Sequence, residues 1–323
     1  MSLNKPTAAV SSTVEITSNS SVLINISSVF NLLSSLLDLI AVVICFFFLS
    51  LIIYRLIHTH LHHSHVVVNV PLLLSINILC LISVKSILQL IHVSIPTMEK
   101  DFHIGTIFEE TFYCRFRSYL LWASIGQLYW NYVLLAFFHF ARVIHPKRLC
   151  LHRPSLYLFI FIPLQSSVEL VGNLPVLFLF DGTHLLPNEA YCSLVLRPFY
   201  ILIYVSTIGF FIPYGLLCTF NVWIGREIRQ STTRVLRERN QRDYLVIRRM
   251  LMNSLILCGV TVPYFVLYVK GVLQNRFDTM IYRVQWLSSS LSSCLFSLSL
   301  PLITTQLRDL LKSYRTTAVK DQI

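Results

Sequence analysis

Seven apolar stretches, each about long enough to cross a bilayer, follow one another with almost no soluble sequence between them. A hydrocarbon core of roughly 30 Å takes about 20 apolar residues in helical form. Windows of that size fall at 30–54, 66–93, 114–140, 155–180, 196–223, 246–269 and 285–305. In lipid every backbone N–H and C=O must be satisfied within the protein, which leaves helices or a closed barrel. Windows this long and continuous do not read as barrel strands of about 10 alternating residues. The expectation is an all-α membrane protein, a seven-transmembrane helical bundle. Composition agrees, because 55% hydrophobic and 13% charged residues leave too little polar surface to cover a water-soluble globule. No internal repeat is visible, which argues against the duplicated architecture of many secondary transporters.

A net charge of +11 suggests nucleic acid until the charges are assigned to the two sides of the membrane. With the N-terminus outside, the cytoplasmic segments hold 17 Lys/Arg against 5 Asp/Glu and the extracellular ones 8 against 8. Positive charge retained inside is a topology signal, so membrane lipids and not nucleic acid are the implied partners. The implied site is the plasma membrane, multi-pass, with an extracellular N-terminus. Residues 1–29 read as a Ser/Thr-rich extracellular tail with glycosylation sequons at Asn19 and Asn25. Residues 1–20 lack an apolar core segment, so the first span is expected to act as its own insertion signal. Of eight cysteines, Cys45, Cys80, Cys218, Cys258 and Cys294 fall in predicted spans and Cys150 in a cytoplasmic loop. Cys114 and Cys192 remain on the oxidising side and are the sensible disulfide pair.

Seven helices, an outside N-terminus and a bridge from the third helix to the second extracellular loop together resemble the rhodopsin-like (class A) G-protein-coupled receptors. In that family an Asp/Glu-Arg-Tyr triplet closes the third helix, its Arg about 25 residues after the bridge cysteine. Here that register holds Phe138-His139-Phe140, followed by Arg142 and by His145-Pro146. The family's prolines of the fifth, sixth and seventh helices match Pro213, Pro263 and Pro301, whereas the polar partners around them are replaced: Val260-Thr261-Val262-Pro263 and Leu300-Pro301-Leu302-Ile303-Thr304. Gln306 to Lys312 looks like the family's short amphipathic eighth helix, leaving 306–323 as that helix and a cytoplasmic tail. The resemblance covers about residues 30–315. It implies an extracellular ligand bound between the helices, a heterotrimeric G protein inside as the transducer, and proline bends that let the inner helix halves separate.

Charges inside a membrane are costly and mark function by default. Asp38, Lys85 and Glu169 are the candidates, with Lys85 facing the ligand pocket or pairing internally and Glu169 a candidate partner. Arg117, Leu121, Trp122, Tyr264 and Tyr268 lie near the pocket mouth that the resemblance implies. Amine receptors of the family carry an aspartate seven residues after the bridge cysteine; Leu121 stands there, which disfavours a monoamine and leaves peptides, lipids or small chemosensory molecules. On the cytoplasmic side His139, Arg142, Pro146, Arg226, Arg248 and Arg249 form the candidate G-protein surface. The loop from Arg226 to Arg249 holds eight arginines against three acids, suited to anionic lipid as well as to a G protein. Imidazole titrates near neutrality where the family has a permanent guanidinium, so His139 leaves three readings open: pH-sensitive coupling, a relaxed motif that still couples, or lost coupling.

The run His58, His60, His62, His63 and His65 has no neighbouring acid or cysteine to complete a metal site, and no metal or cofactor is expected. Nucleotide loops, HExxH and GxSxG are absent from the sequence, so an enzyme is not expected. A small transporter, or a seven-helix chemosensory or scaffold protein that does not couple to G proteins, stands as the alternative.

Overall fold

A computed structural model describes residues 17–61, 69–102, 109–144, 148, 151, 153–186, 189–194, 199–230, 255, 259, 262–263, 266–271, 273–274 and 279–303. Helix α1 (Thr17–Leu61) precedes α2 (Val70–Gln89), which runs through a π-helical turn (Leu90–Ser94) into α3 (Ile95–Asp101). Then come α4 (Phe112–Ile144) and α5 (Pro154–Leu156), the latter continuing through a π turn (Tyr157–Phe161) into α6 (Ile162–Phe178). A hairpin of β1 (Thr183–Leu185) and β2 (Cys192–Leu194) pairs antiparallel, Leu185 opposite Cys192. Helix α7 (Phe199–Ser206), a third π turn (Thr207–Phe211), α8 (Ile212–Gln230) and α9 (Thr279–Ile303) complete the described elements.

Among the described residues, four helices are long and apolar enough to cross a membrane: Ile26–Ile57, Val70–Asp101, Pro154–Phe178 and Tyr200–Glu227. Their outward faces carry large apolar side chains such as Val43, Phe47, Phe159 and Val171, a surface suited to lipid rather than water. Helix α4 packs against α2, α6 and α8, and α1 against α2 and α9. Helices α4 and α9 turn polar side chains inward, among them Asn131 and His139 on α4 and Ser290 and Ser293 on α9. Asn77 of α2 donates to Asn131 Oδ1 at 2.5 Å, and Asn131 Nδ2 to Gln127 O at 2.9 Å, so this pair is satisfied within the bundle. Helix α1 begins at Thr17. The sequons at Asn19 and Asn25 therefore lie on its opening turns, and the expected boundary at residue 29 falls inside a continuous helix.

The three π turns share one cause. Each is followed two residues later by a proline: Pro96 after Ser94, Pro163 after Phe161 and Pro213 after Phe211. A proline within a helix cannot donate to the carbonyl four residues back, and its ring crowds that carbonyl. The wider turn relieves the crowding. The residue before each proline then donates five residues back: Ile95 to Leu90 O, Ile162 to Tyr157 O and Ile212 to Thr207 O. Of the prolines read as bends, Pro213 thus sits at a π turn, while Pro263 lies in a short helical stretch and Pro301 within α9.

One end of the bundle is fastened by charge and by a disulfide. Cys114 and Cys192 are bonded, with Cα atoms 5.6 Å apart, and His92 Nε2 lies 2.9 Å from Cys192 O. Arg283 of α9 donates to Asp101 of α3 at 2.8 and 2.9 Å and to Glu189, ahead of β2, at 2.9 Å. Nearer the surface, Glu110 accepts from Arg115 and lies 2.9 Å from His184 Nδ1, and Arg115 also reaches Asp181 at 2.5 Å. Partial burial works against the Glu110 charge, but the bonds from His184 and Arg115 outweigh it and hold its carboxyl below the usual range. Such a group adds stability above its unfolded pKa and loses it as pH falls through the lower folded value.

Two measurements check this end. Thermal unfolding of the purified protein should show Arg283→Met costing about 3–5 kcal/mol, since it strands two carboxylates in a buried site, and Arg115→Met, at a more exposed cluster, costing about 1 kcal/mol or less. In a melting series taken from neutral to acid pH, Glu110→Gln should lose less stability on acidification than the wild type.

Candidate functional site

A buried lysine is neutralised between three helices. Lys85 on α2 is 2% exposed and Asp38 on α1 is 0% exposed. Their ammonium and carboxylate lie 3.5 Å apart. The same ammonium donates to Ser293 Oγ at 2.9 Å and to Ser289 O at 3.1 Å, both on α9. Three N–H donors thus meet three acceptors. The second carboxylate oxygen accepts from Ser290 Oγ at 2.7 Å. Gln89, one turn from Lys85, donates to Ser290 Oγ at 2.7 Å and to Trp286 O at 3.1 Å. Internal pairing of Lys85 is therefore correct, but its partner is Asp38 and not Glu169.

Glu169 stands elsewhere, in a slot between α4, α6 and the third π turn. It is 1% exposed. Its Oε1 accepts from Asn173 Nδ2 at 2.7 Å, one helical turn on. The slot exists because Gly126 has no side chain, and Gly209 lies on its other wall. A Cβ at Gly126 would lie 1.8 Å from Glu169 Oε1, and one at Gly209 would lie 3.4 Å from it. Gly209 belongs to the π turn ahead of Pro213, so the proline also shapes this wall. The turn frees a carbonyl as well: Ile212 donates to Thr207 O, and Pro213 has no N–H, so Ile208 O is left without a helical donor. The Trp130 indole fills that vacancy at 3.2 Å and borders the Glu169 carboxyl.

Between these two polar features lies a cavity of about 740 Å³, walled by α4, α6, α7 with its π turn, and α9. Its surface is mostly apolar and aromatic, with Trp122, Tyr129, Phe210, Tyr268, Trp286 and Phe296 prominent. Glu169 and Lys85 both border it, together with Gln285 and the serines of α9. Trp286 packs on Trp122 with ring centroids 5.9 Å apart and donates to Tyr191 Oη at 3.0 Å. Tyr191 immediately precedes Cys192, so the bridged hairpin is braced against a cavity wall.

Of the expected pocket residues, Lys85, Trp122, Glu169 and Tyr268 line this space. Leu121 is fully buried in a cluster with Tyr191 and Trp286. Arg117 is not among the cavity-lining residues and stacks on Tyr113, its guanidinium 4.3 Å from the ring centroid. Tyr264 lies outside the described residues. At the opposite end, His139 is 5% exposed and packs edge-on against Phe138, so no open surface presents it here. Arg142 is half-buried and Arg226 exposed. Pro146, Arg248, Arg249, the residues of the amphipathic segment 306–323, and His62, His63 and His65 lie outside the described residues, while His58 and His60 fall on the last turn of α1.

Several residues of the site escaped the sequence reading. Gly126, Gly209 and Asn173 carry no motif. The run Ser288-Ser289-Ser290-Leu291-Ser292-Ser293 inside an otherwise apolar window was a usable signal, because clustered hydroxyls in a span require an internal partner. No protein-family model matches this chain, and no curated protein matches it.

Two double-variant cycles test the site by thermal unfolding. Asp38→Asn or Lys85→Met alone should cost about 3–5 kcal/mol, and the apolar pair Asp38→Leu/Lys85→Met should cost less than either single change. Gly126→Ala should be strongly destabilising, and adding Glu169→Ala should recover much of the loss, since the clash is with the Glu169 carboxyl.

Proposed function

We propose that this chain is a divergent seven-transmembrane receptor of the rhodopsin-like kind, which binds an extracellular ligand in the central cavity and activates a heterotrimeric G protein. The observation that carries the reading is the cavity itself. A space of about 740 Å³, apolar with a few convergent polar groups, is the kind of site that takes a small molecule. Its walls come from helices far apart in the chain, so a bound ligand touches several of them at once and can shift their relative packing. The hairpin held by Cys114–Cys192 sits on the same end of the bundle as the Trp286 wall, the end that the charge pattern assigns to the outside. Four apolar helices in the described residues support the membrane setting; the sequence windows support seven spans, the charge asymmetry supports an outward N-terminus, and the receptor resemblance supports the plasma membrane. A peptide terminus, a lipid or a small chemosensory molecule fits the cavity's size.

The proposal is tested by expressing the chain in cells and measuring constitutive and ligand-library-evoked G-protein activation, with Cys114→Ser as control. A response that is abolished by the control establishes a coupled receptor despite His139. Silence from a folded, surface-exposed protein favours a seven-helix protein that does not couple to G proteins.

A further inference from the structure

We infer that the cavity takes a small amphipathic amine, with its protonated nitrogen on Glu169 Oε2 and its apolar body against the aromatic wall of Trp122, Phe210 and Trp286. The inference rests on the ligand-binding reading above and names the ligand class. Glu169 is 1% exposed, and Asn173 occupies one of its oxygens. The other, Oε2, makes no hydrogen bond of good geometry among the described residues, the neighbouring Trp130 indole being directed to Ile208 O, and the side chain borders the cavity. A carboxylate buried without a full complement of donors is costly. Its position is set by the bond from Asn173 and by the room that Gly126 leaves for it on α4.

The rest of the wall decides the sign of the complement. Lys85, the one cation among the described wall residues, already spends its three donors on Asp38, Ser289 and Ser293. It has none left for an anionic ligand. Gln285 Oε1, 7% exposed as a residue and also on the wall, is a second acceptor without a partner among the described residues. Among the wall's unpaired atoms, Trp122 Nε1 supplies a donor. A ligand rich in N–H and carrying positive charge answers this arrangement best, and aromatic walls add attraction for a cation. Leu121 removes the acid that an amine would meet on α4; Glu169 places one on α6 instead.

The experiment uses the purified full chain in lipid nanodiscs and three phenyl-bearing probes of similar size: 2-phenylethylamine, 2-phenylethanol and phenylacetate. Binding is read by calorimetry or by ligand-induced melting shift for the wild type and for Glu169→Gln, which keeps the volume and an acceptor for Asn173. The amine should bind at least roughly tenfold tighter than the alcohol or the carboxylate, and Glu169→Gln should weaken the amine by a similar factor while leaving the alcohol unchanged. Equal or tighter binding of the alcohol or the carboxylate by the wild type overturns the inference even if the variant does not fold. Amine affinity unmoved by Glu169→Gln, or no binding of any probe, overturns it too. Binding is measured without a G protein, so its failure alongside intact G-protein activation leaves the receptor reading standing, and amine binding without activation counts against the receptor reading alone.

Discussion

The ammonium of Lys85 is the group around which α1, α2 and α9 are arranged. Buried among apolar helices, it draws Asp38, Ser289 and Ser293 to itself from two other helices. Gln89 and Ser290 extend the cluster by a turn. A buried ion pair of this kind adds less to stability than its Coulomb attraction suggests, because both ions were better solvated in water. Its stronger effect is on specificity. Slide α9 by one turn against α2 and the ammonium loses Ser289 O and Ser293 Oγ while keeping Asp38, so the cation favours one register of α9 against its neighbours.

Proline makes a second, independent contribution. Removing an N–H costs a helix one bond, and at Pro96, Pro163 and Pro213 the backbone answers by widening into a π turn. At Pro213 the consequence reaches the cavity. The wide turn sets Gly209 against the Glu169 carboxyl and leaves Ile208 O for the Trp130 indole. A backbone defect has become part of a wall, and the polar groups it exposes are satisfied by side chains from α4. This links the kinks to the cavity by hydrogen bonds and not by proximity alone.

Charge is used differently at the disulfide end and in the middle of the bundle. Arg283, Asp101 and Glu189 tie α9 to α3 and to the loop ahead of β2, and the hairpin is fastened further by Cys114–Cys192. Deep inside, the pairing is complete around Lys85 and incomplete around Glu169. That difference is visible only when the partners of each group are counted.

Much of this was legible in the sequence. Apolar windows of bilayer length gave the helices, because in lipid a helix is the local way to satisfy a backbone, and the positions of Cys114 and Cys192 outside the spans pointed to their bond. Buried charge was legible as a category: Asp38, Lys85 and Glu169 stood out against apolar neighbours, and the serines of α9 could have been added by the same rule. Which charge pairs with which was not legible. Asp38 and Glu169 are equally acidic on paper, and only the packing of α1 against α2 and α9 brings one to Lys85 while the room at Gly126 lets the other lie against α4. Periodicity and hydropathy are properties of neighbouring residues and survive in the linear chain. Pairing across helices depends on distances between segments far apart in sequence, which exist only once the bundle has closed.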